Sequence, residues 1–341
     1  MAEISLMRRE IDEIPAAAER CLSARTGILA AGAALAGKDP PVIVTAARGS
    51  SDNAAAYFKY ACEITAGVPV ASIGPSIASI YATPPRLSEA ALIAVSQSGR
   101  SPDIIALAEA TRRSGGLTVA VVNDAASPLA DICDHVIPLG AGTEQSVAAT
   151  KSFVSSVLAC LALLAAWRGD SGLASALDQL PGQFARALTL DWTEAFAPLV
   201  AGGSLYTIGR GPSLAIAQEA ALKFKETACL HAEAFSAAEV RHGPMSIVGE
   251  GFPVVGFLAD DPARPSMIET LALLGGHGAS VMVAGGGNEG GNRLPVIATG
   301  HPLTDALAMI VPFYGAVEAL ARLRGLDPDR PRHLKKVTET R

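Results

Sequence analysis

Three apolar runs in the second half of this chain repeat three in the first half at one spacing, and that regularity constrains the fold more than any other feature. Arg48 follows Val42-Ile43-Val44-Thr45-Ala46, Arg210 follows Ser204-Leu205-Tyr206-Thr207-Ile208, and the two arginines stand 162 positions apart. The same step of 162 carries Val95, closing Ala91-Leu92-Ile93-Ala94-Val95, onto Phe257, closing Pro253-Val254-Val255-Gly256, and residues 119–122 onto 281–284. One shift shared by three strand-like runs implies a duplicated unit. Short unbroken apolar runs separated by helical patterns read as buried parallel strands joined by crossover helices. The expected class is therefore α/β, with two duplicated domains, each a parallel sheet flanked by helices.

The first copy offers strands over residues 42–46, 70–73, 91–96, 117–122 and 135–139, with helices over 53–66 and 103–113 among them. Residues 1–38 read as N-terminal helices, two of them on the surface with Pro15 between. The first domain is expected over 39–180 and the second over 195–325, followed by a tail over 326–341. The linker is sought in 168–197, where Gly169, Gly172, Pro181 and Gly182 interrupt helical patterns.

Composition narrows the partners. Lys and Arg total 27 against 33 Asp and Glu, a net charge of −6, whereas a nucleic-acid partner needs a basic face. Half of the residues are hydrophobic and only 5% aromatic, so the cores are built from Ala, Val, Leu and Ile. The longest apolar run, residues 153–167, is shorter than the roughly 20 residues of a membrane span, and a buried helix is expected there. Five cysteines without a Cys-x-x-Cys pair read as reduced thiols. The charged start of the chain lacks a signal core, so a cytoplasmic location is expected, with no membrane partner. No metal-ligand spacing is present, and neither a metal nor another cofactor is expected.

The chemistry gathers where Val95 gives way to Ser96-Gln97-Ser98-Gly99-Arg100-Ser101-Pro102-Asp103. Three hydroxyls within six residues exceed what a helix cap uses. Together with the Gln97 amide and the N–H groups of a first helical turn, they converge on a dianion without needing a lysine. The corresponding turn of the second copy, Leu258-Ala259-Asp260-Asp261, carries carboxylates that repel phosphate, so one anion site per chain is expected. Lys223 lies three residues before Glu226, on the same face of a helix. His242 precedes Gly243-Pro244, a turn that presents an imidazole able to exchange protons near neutral pH. His231 falls on a helical pattern and reads as structural. The basic, proline-stiffened stretch from Asp327 to Glu339 suits either disorder or closure over an anionic substrate.

Taken in order, these motifs resemble the sugar isomerase (SIS) family. The likeness is to the isomerase halves of the glutamine-dependent fructose-6-phosphate aminotransferases and to relatives without a glutaminase domain, including SIS-type glucosamine-6-phosphate deaminases. It rests on Ser96-Gln97-Ser98-Gly99, on Ala141-Gly142-Thr143-Glu144 leading to Val147-Ala148-Ala149-Thr150-Lys151, and on Ala221-Leu222-Lys223-Phe224-Lys225-Glu226. His231-Ala232-Glu233-Ala234, Glu239-Val240-Arg241-His242-Gly243-Pro244 and the tail complete it. The resemblance implies two SIS domains of flavodoxin-like, three-layer form. It also implies that Ser51, Ser96, Gln97, Ser98 and Ser101 hold the phosphate, Ser101 replacing the usual Thr, and that sugar hydroxyls are met near Val147 and Ala149, Ala149 replacing a Ser.

Lys223, Glu226, His242 and Lys336 match the family's catalytic positions. By that match Glu226 moves a proton between C1 and C2, and Lys223 tunes Glu226 and serves the C1 oxygen. His242 opens the ring from a neighbouring subunit, so a homodimer shares the site. Lys336 holds the ketose as an imine, with Lys335 one residue away. Arg48 and Arg100 stand where the aminotransferases have Cys and Glu, which implies a different substrate or direction, with Arg48 counted among the substrate contacts. Met1-Ala2 replaces an N-terminal Cys nucleophile, and no glutaminase segment follows. The expected reaction is therefore conversion of a hexosamine 6-phosphate, glucosamine 6-phosphate, to fructose 6-phosphate and ammonia. A galactosamine-6-phosphate deaminase and a fructosamine-6-phosphate deglycase stay open. So does a sugar-phosphate sensor, although such regulators normally carry a DNA-binding domain.

Overall fold

The computed structural model describes residues 4–285 and 292–336. The chain forms two compact units. Of the described residues, one unit comprises Ala16–Glu144, Lys151–Asp178 and residues 335–336; the other comprises residues 4–15, Gln145–Thr150, residues 179–285 and residues 292–334.

The N-terminal segment departs from expectation. It holds three helices, α1 (Leu6–Asp12), α2 (Ile14–Ser23) and α3 (Arg25–Lys38). Pro15 lies in the first turn of α2, where its missing N–H costs nothing, and so does not separate helices. They lie on the surface as expected, each burying one face: Met7, Ile11, Ile14, Ala18, Cys21, Ile28, Ala31 and Leu35 are buried, while Asp12, Glu19, Arg25 and Leu29 are exposed.

The first unit is built on β1 (Ile43–Ala46), β2 (Val70–Ser72), β3 (Ala91–Ser96), β4 (Leu117–Val122) and β5 (His135–Pro138), in the order β2-β1-β3-β4-β5. Every pairing is parallel. All six residues of β3 are buried, as a central strand covered on both faces requires. Around the sheet run α4 (Ser50–Ala66), α5 (Ser76–Ser79), α6 (Pro102–Arg113), α7 (Pro128–Ile132) and α8 (Lys151–Arg168). Helix α8 carries the long apolar run and is 89% buried, as a core helix rather than a membrane span. A Cβ on Gly32 of α3 would come within 2.8 Å of the Ala166 Cβ of α8, so the glycine is what lets these two helices approach.

Within the 168–197 stretch where the linker is sought, residues 171–187 form one helix, α9 (Ser171–Ala187), which Gly172, Pro181 and Gly182 do not interrupt. Pro costs about 3 kcal/mol in a helix interior. Leu173, Leu177, Leu180, Phe184 and Ala187 recur at helical spacing and are all buried, and five such side chains outweigh that cost. The division between the units falls between Asp178 and Gln179, within this helix.

The second unit contains α10 (Thr193–Phe196), β6 (Ser204–Gly209), α11 (Pro212–Ala228), β7 (His231–Ser236), β8 (Pro253–Phe257), α12 (Arg264–Gly276), β9 (Ser280–Ala284), β10 (Asn292–Leu294) and α13 (Pro302–Leu323). Its parallel sheet runs β10-β9-β8-β6-β7. Followed from the β7 edge, this is the order of the first sheet, and both match the flavodoxin-like topology. The duplication extends to torsion angles. Gly49, before α4, has φ 55 and ψ −131, and Gly211, before α11, has φ 61 and ψ −139, a conformation that glycine alone adopts cheaply.

His231 opens strand β7 rather than sitting on a helix, because the segment alternates: His231 and Glu233 are exposed and Ala232 is buried. Phe313 on α13 anchors the core, its ring 5.2 Å from Phe224, 6.0 Å from Phe257 and 6.1 Å from Phe196. The root of the tail is tied down: Asp329 accepts hydrogen bonds from Leu6 N (2.7 Å) and Met7 N (2.8 Å), capping α1. Val337, Thr338 and Glu339 of the expected tail lie outside the described residues.

Candidate active site

In the first unit the sheet order reverses between β1 and β3, and both strands end there in turns that lead into helices. Such a switch point is where open α/β sheets hold ligands. Ser96 is buried at the end of β3, and its Oγ accepts from Gly99 N at 3.0 Å. Ser98 Oγ accepts from Arg100 N at 3.3 Å. Each oxygen fixed this way keeps its own proton to donate. Ser101 is the N-cap of α6, yet its side chain makes no cap hydrogen bond, so that hydroxyl is also available. Gln97, Ser98, Ser101 and, in the first turn of α4, Ser51 are half-buried. Gly99 has φ 63, and a Cβ there would overlap Ser127 Oγ. The tight turn that gathers the hydroxyls therefore requires glycine.

Arg48, after β1, reaches across to Asp103 in the first turn of α6, Nε lying 3.1 Å from Oδ2 and the second nitrogen forming an ion pair with the same oxygen. Asp103 is 1% exposed. A buried carboxylate beside an anion site would oppose a phosphate, and Arg48 neutralises it. Burial pushes the Asp52 carboxyl up from its ordinary value, and the nearby Arg48 charge partly offsets this. Arg100 pairs with Asp124 at 2.9 Å. The hydrogen bond from Arg100, reinforced by the Ala126 N–H, holds the Asp124 carboxyl below the usual carboxylate range.

Beyond β5 the chain turns through Gly140 (φ 62) and Gly142 (φ 73). Arg20 Nε donates to Gly140 O at 2.7 Å, while Asn123 donates to Gly142 O at 2.8 Å and accepts from Ala141 N at 3.0 Å. Glu144 lies at the end of this pinned loop, and Lys336 Nζ donates to it at 2.9 Å. Val147 and Ala149 are half-buried in the segment that belongs to the second unit. There Glu10 accepts from Ser146 N at 3.3 Å and also from Gln145 N.

In the second unit α11 presents the acid and base. The Lys223 side chain is 0% exposed and pairs with Glu226, one turn on, which is 18% exposed. Glu219, one turn before, is also 0% exposed and lies 3.4 Å from the same ammonium. Tyr314 Oη of α13 donates to Glu219 at 3.1 Å. Lys223 therefore stands between a buried carboxylate and a partly exposed one, an arrangement that fixes Glu226 while leaving it open to a substrate. Glu226 also lines a cavity of about 220 Å3 with Cys229, Asp327, Arg330 and Arg332. His242 is exposed at the end of a 3-10 turn, its N–H donating to Glu239 O at 2.9 Å. Among the described residues its imidazole has no hydrogen-bond partner.

The structure thus sets Arg48 and Ser51 after β1, and Ser96, Gln97, Ser98 and Ser101 at the end of the neighbouring β3, in the first unit, and pairs Lys223 with Glu226 in the second. Lys336 is found with Glu144. Sequence reasoning assigned no role to Glu219, Tyr314, Asp103 or Glu144. Glu219 was within reach, four residues before Lys223 on a helix, whereas the others depend on contacts distant in sequence.

Comparison with known proteins follows this geometry. The SIS domain matches residues 38–166 and 199–283. The chain is 34% identical over 316 residues to the glutamine–fructose-6-phosphate aminotransferase of Symbiobacterium thermophilum, covering 86% of this chain and 51% of that protein. It is 33% identical to the aminotransferase of Aeropyrum pernix, covering 91% of this chain and 52% of that one. The chain spans about half the length of these curated relatives. Among solved structures, a Silicibacter pomeroyi protein provisionally designated a phosphosugar isomerase is 51% identical, with a TM-score of 0.92 and coverage of 96% and 100% of the two chains. A glucosamine-6-phosphate deaminase from Thermotoga maritima, 20% identical with a TM-score of 0.78 over 98% of this chain and 100% of that one, shares the fold.

Proposed function

Because the chain belongs to the SIS domain family, we propose that it is a phosphosugar isomerase and, more specifically, a deaminase that converts glucosamine 6-phosphate to fructose 6-phosphate and ammonia. The observation that carries the reading is the Glu219–Lys223–Glu226 row, in which a fully buried ammonium holds a carboxylate that is still 18% exposed. Moving a proton between adjacent carbons of a sugar requires a fixed base with access to both. In this reading the hydroxyls of Ser51, Ser96, Ser98 and Ser101 and the Gln97 amide bind the 6-phosphate at the helix N-terminus. Val147 and Ala149 lie along the sugar.

Glu226 takes the proton from C2 and returns it to C1. The amine on C2 becomes an imine, and water releases ammonia from it. Lys223 steadies the charge on the C1 oxygen. His242, exposed on its turn, acts on the ring oxygen of a sugar bound by a second copy, and the working form is a cytoplasmic homodimer. Lys336 supplies the amine that holds the ketose form. The relatives named as aminotransferases support the chemistry of this half; the source of nitrogen in their reaction is not assigned to this chain.

Purified protein at micromolar concentration incubated with glucosamine 6-phosphate is expected to release fructose 6-phosphate and ammonia in equal amounts. Galactosamine 6-phosphate and fructosamine 6-phosphate serve as the competing substrates. Absence of product from all three refutes the reading.

A further inference from the structure

We propose that Glu144 is the proton acceptor that converts Lys336 from an ammonium into a nucleophile, an inference that rests on the reading of Lys336 as the imine-forming amine. The Glu144 side chain is 0% exposed, whereas that of Lys336 is 24% exposed. Glu144 Oε1 accepts from Ser152 N at 3.1 Å, and Oε2 accepts from Ser152 Oγ at 2.6 Å and from Lys336 Nζ at 2.9 Å. Ser152 lies in the first turn of the 18-residue α8, so the helix N-terminus also favours the carboxylate.

Burying a carboxylate costs several kcal/mol unless donors and a cation offset the loss of water. Here the donors are built into the loop and helix, and the cation arrives on a tail 192 residues away. The loop is rigid: Arg20, Asn123 and Lys151 hold the carbonyls of Gly140, Gly142 and Thr143 at 2.7, 2.8 and 2.7 Å. The neighbouring ammonium, Lys151, is directed at the Thr143 carbonyl. The acceptor is thus held by the loop and helix, and the amine paired with it is the more exposed partner.

An ammonium has no lone pair and cannot add to a carbonyl. Transfer of one proton from Nζ to Glu144 Oε2 frees the pair, which forms the N–C2 bond to the open-chain ketose while the C2 oxygen takes up a proton from that nitrogen. Glu144 then returns its proton to the C2 hydroxyl, the C2–O bond breaks, water leaves, and a cationic imine stands beside the restored carboxylate. The balance is one ammonium and one ketone giving one iminium and one water, with Glu144 unchanged.

The test uses the full chain, fructose 6-phosphate and sodium cyanoborohydride, with the reduced adduct on Lys336 quantified by mass spectrometry. Glu144→Gln preserves the shape and an acceptor for Ser152. Its trapping rate is expected to fall about 100-fold or more, with the affinity for inorganic phosphate within about threefold of the wild type. Trapping should recover about tenfold per pH unit as solvent base takes over, a response that a mere anchor for the tail would not give. Should Glu144→Gln fail to fold, Glu144→Asp should fold and trap more slowly at equal phosphate affinity. Trapping at the wild-type rate, or a loss that does not recover with pH, overturns the inference. Wild-type turnover without an adduct on Lys336 overturns it too, and leaves the isomerase reading standing. An adduct that depends on Glu144 but leads to no isomerisation sinks that reading and leaves the inference.

Discussion

Replacing Lys223 with Met removes the ammonium between Glu219 and Glu226, and the two carboxylates respond differently. Glu226 is 18% exposed and turns toward water at little cost, whereas Glu219 is 0% exposed and must stay. Breaking a buried pair by deleting one partner costs about 3–5 kcal/mol, a large share of the roughly 5–15 kcal/mol that keeps a domain folded. For a unit of this size that corresponds to a fall in Tm of about 6–20 °C. The double variant Lys223→Met with Glu219→Leu removes the stranded charge. What remains is the Tyr314 hydroxyl, which donates to Glu219 at 3.1 Å and loses its acceptor, at about 1–3 kcal/mol. Urea and thermal unfolding of the full chain should therefore place the double variant about 2 kcal/mol above the single one, while fructose 6-phosphate formation stays lost in both. A single variant within about 1 kcal/mol of the wild type, or a double variant no more stable than the single, refutes the assignment of Lys223 as a structural and chemical clamp.

Three other outcomes follow from the same geometry. Gly99→Ala, which drives a Cβ into Ser127 Oγ at φ 63, should weaken binding of inorganic phosphate by more than about tenfold in calorimetry, since a strained turn no longer converges its donors; unchanged affinity contradicts the anion site. Arg48→Gln exposes phosphate to the buried Asp103 charge, and the half-exposed position of Arg48 limits the effect to about 1 kcal/mol, or about fivefold in phosphosugar affinity, measured at low salt. Burial pushes the Cys21 and Cys160 thiols up from 9.0 to about 12, while Cys229 is exposed. Iodoacetamide at pH 8 should therefore label Cys229 first. The folded thiols hold their protons where the unfolded ones ionise, so the stability from this source is complete below pH 9.0 and lost between pH 9.0 and about 12. The loss is about 1.4 kcal/mol per pH unit for each thiol, and a flat unfolding free energy across that range contradicts the burial argument.

Much of the fold could be read from the chain because buried parallel strands leave runs such as Ala91-Leu92-Ile93-Ala94-Val95, and because a duplication fixes their spacing. The hydroxyl turn after Ser96 was legible for a similar reason: donors to one anion must be close in space, and a single β-α turn makes them close in sequence. Tertiary packing overrode local signals elsewhere. Pro181 and Gly182 punctuate α9 yet do not end it, since the buried Leu180 and Phe184 hold it together. Alternation in the short segment beginning at His231 was masked by Ala and Glu, both strong helix formers. The Lys336–Glu144 and Arg48–Asp103 pairs join residues 192 and 55 positions apart, and no periodicity encodes such contacts.

The central claim is that Glu226 carries a proton between C1 and C2 of a bound phosphosugar. Incubating the protein with fructose 6-phosphate in deuterated water and following the sugar by proton NMR tests it directly. The wild type should wash deuterium into C1, and Glu226→Gln should abolish that exchange while binding the sugar phosphate within about threefold of the wild type. Exchange that persists in Glu226→Gln, or a wild type that binds the sugar at saturation and exchanges nothing, contradicts the account.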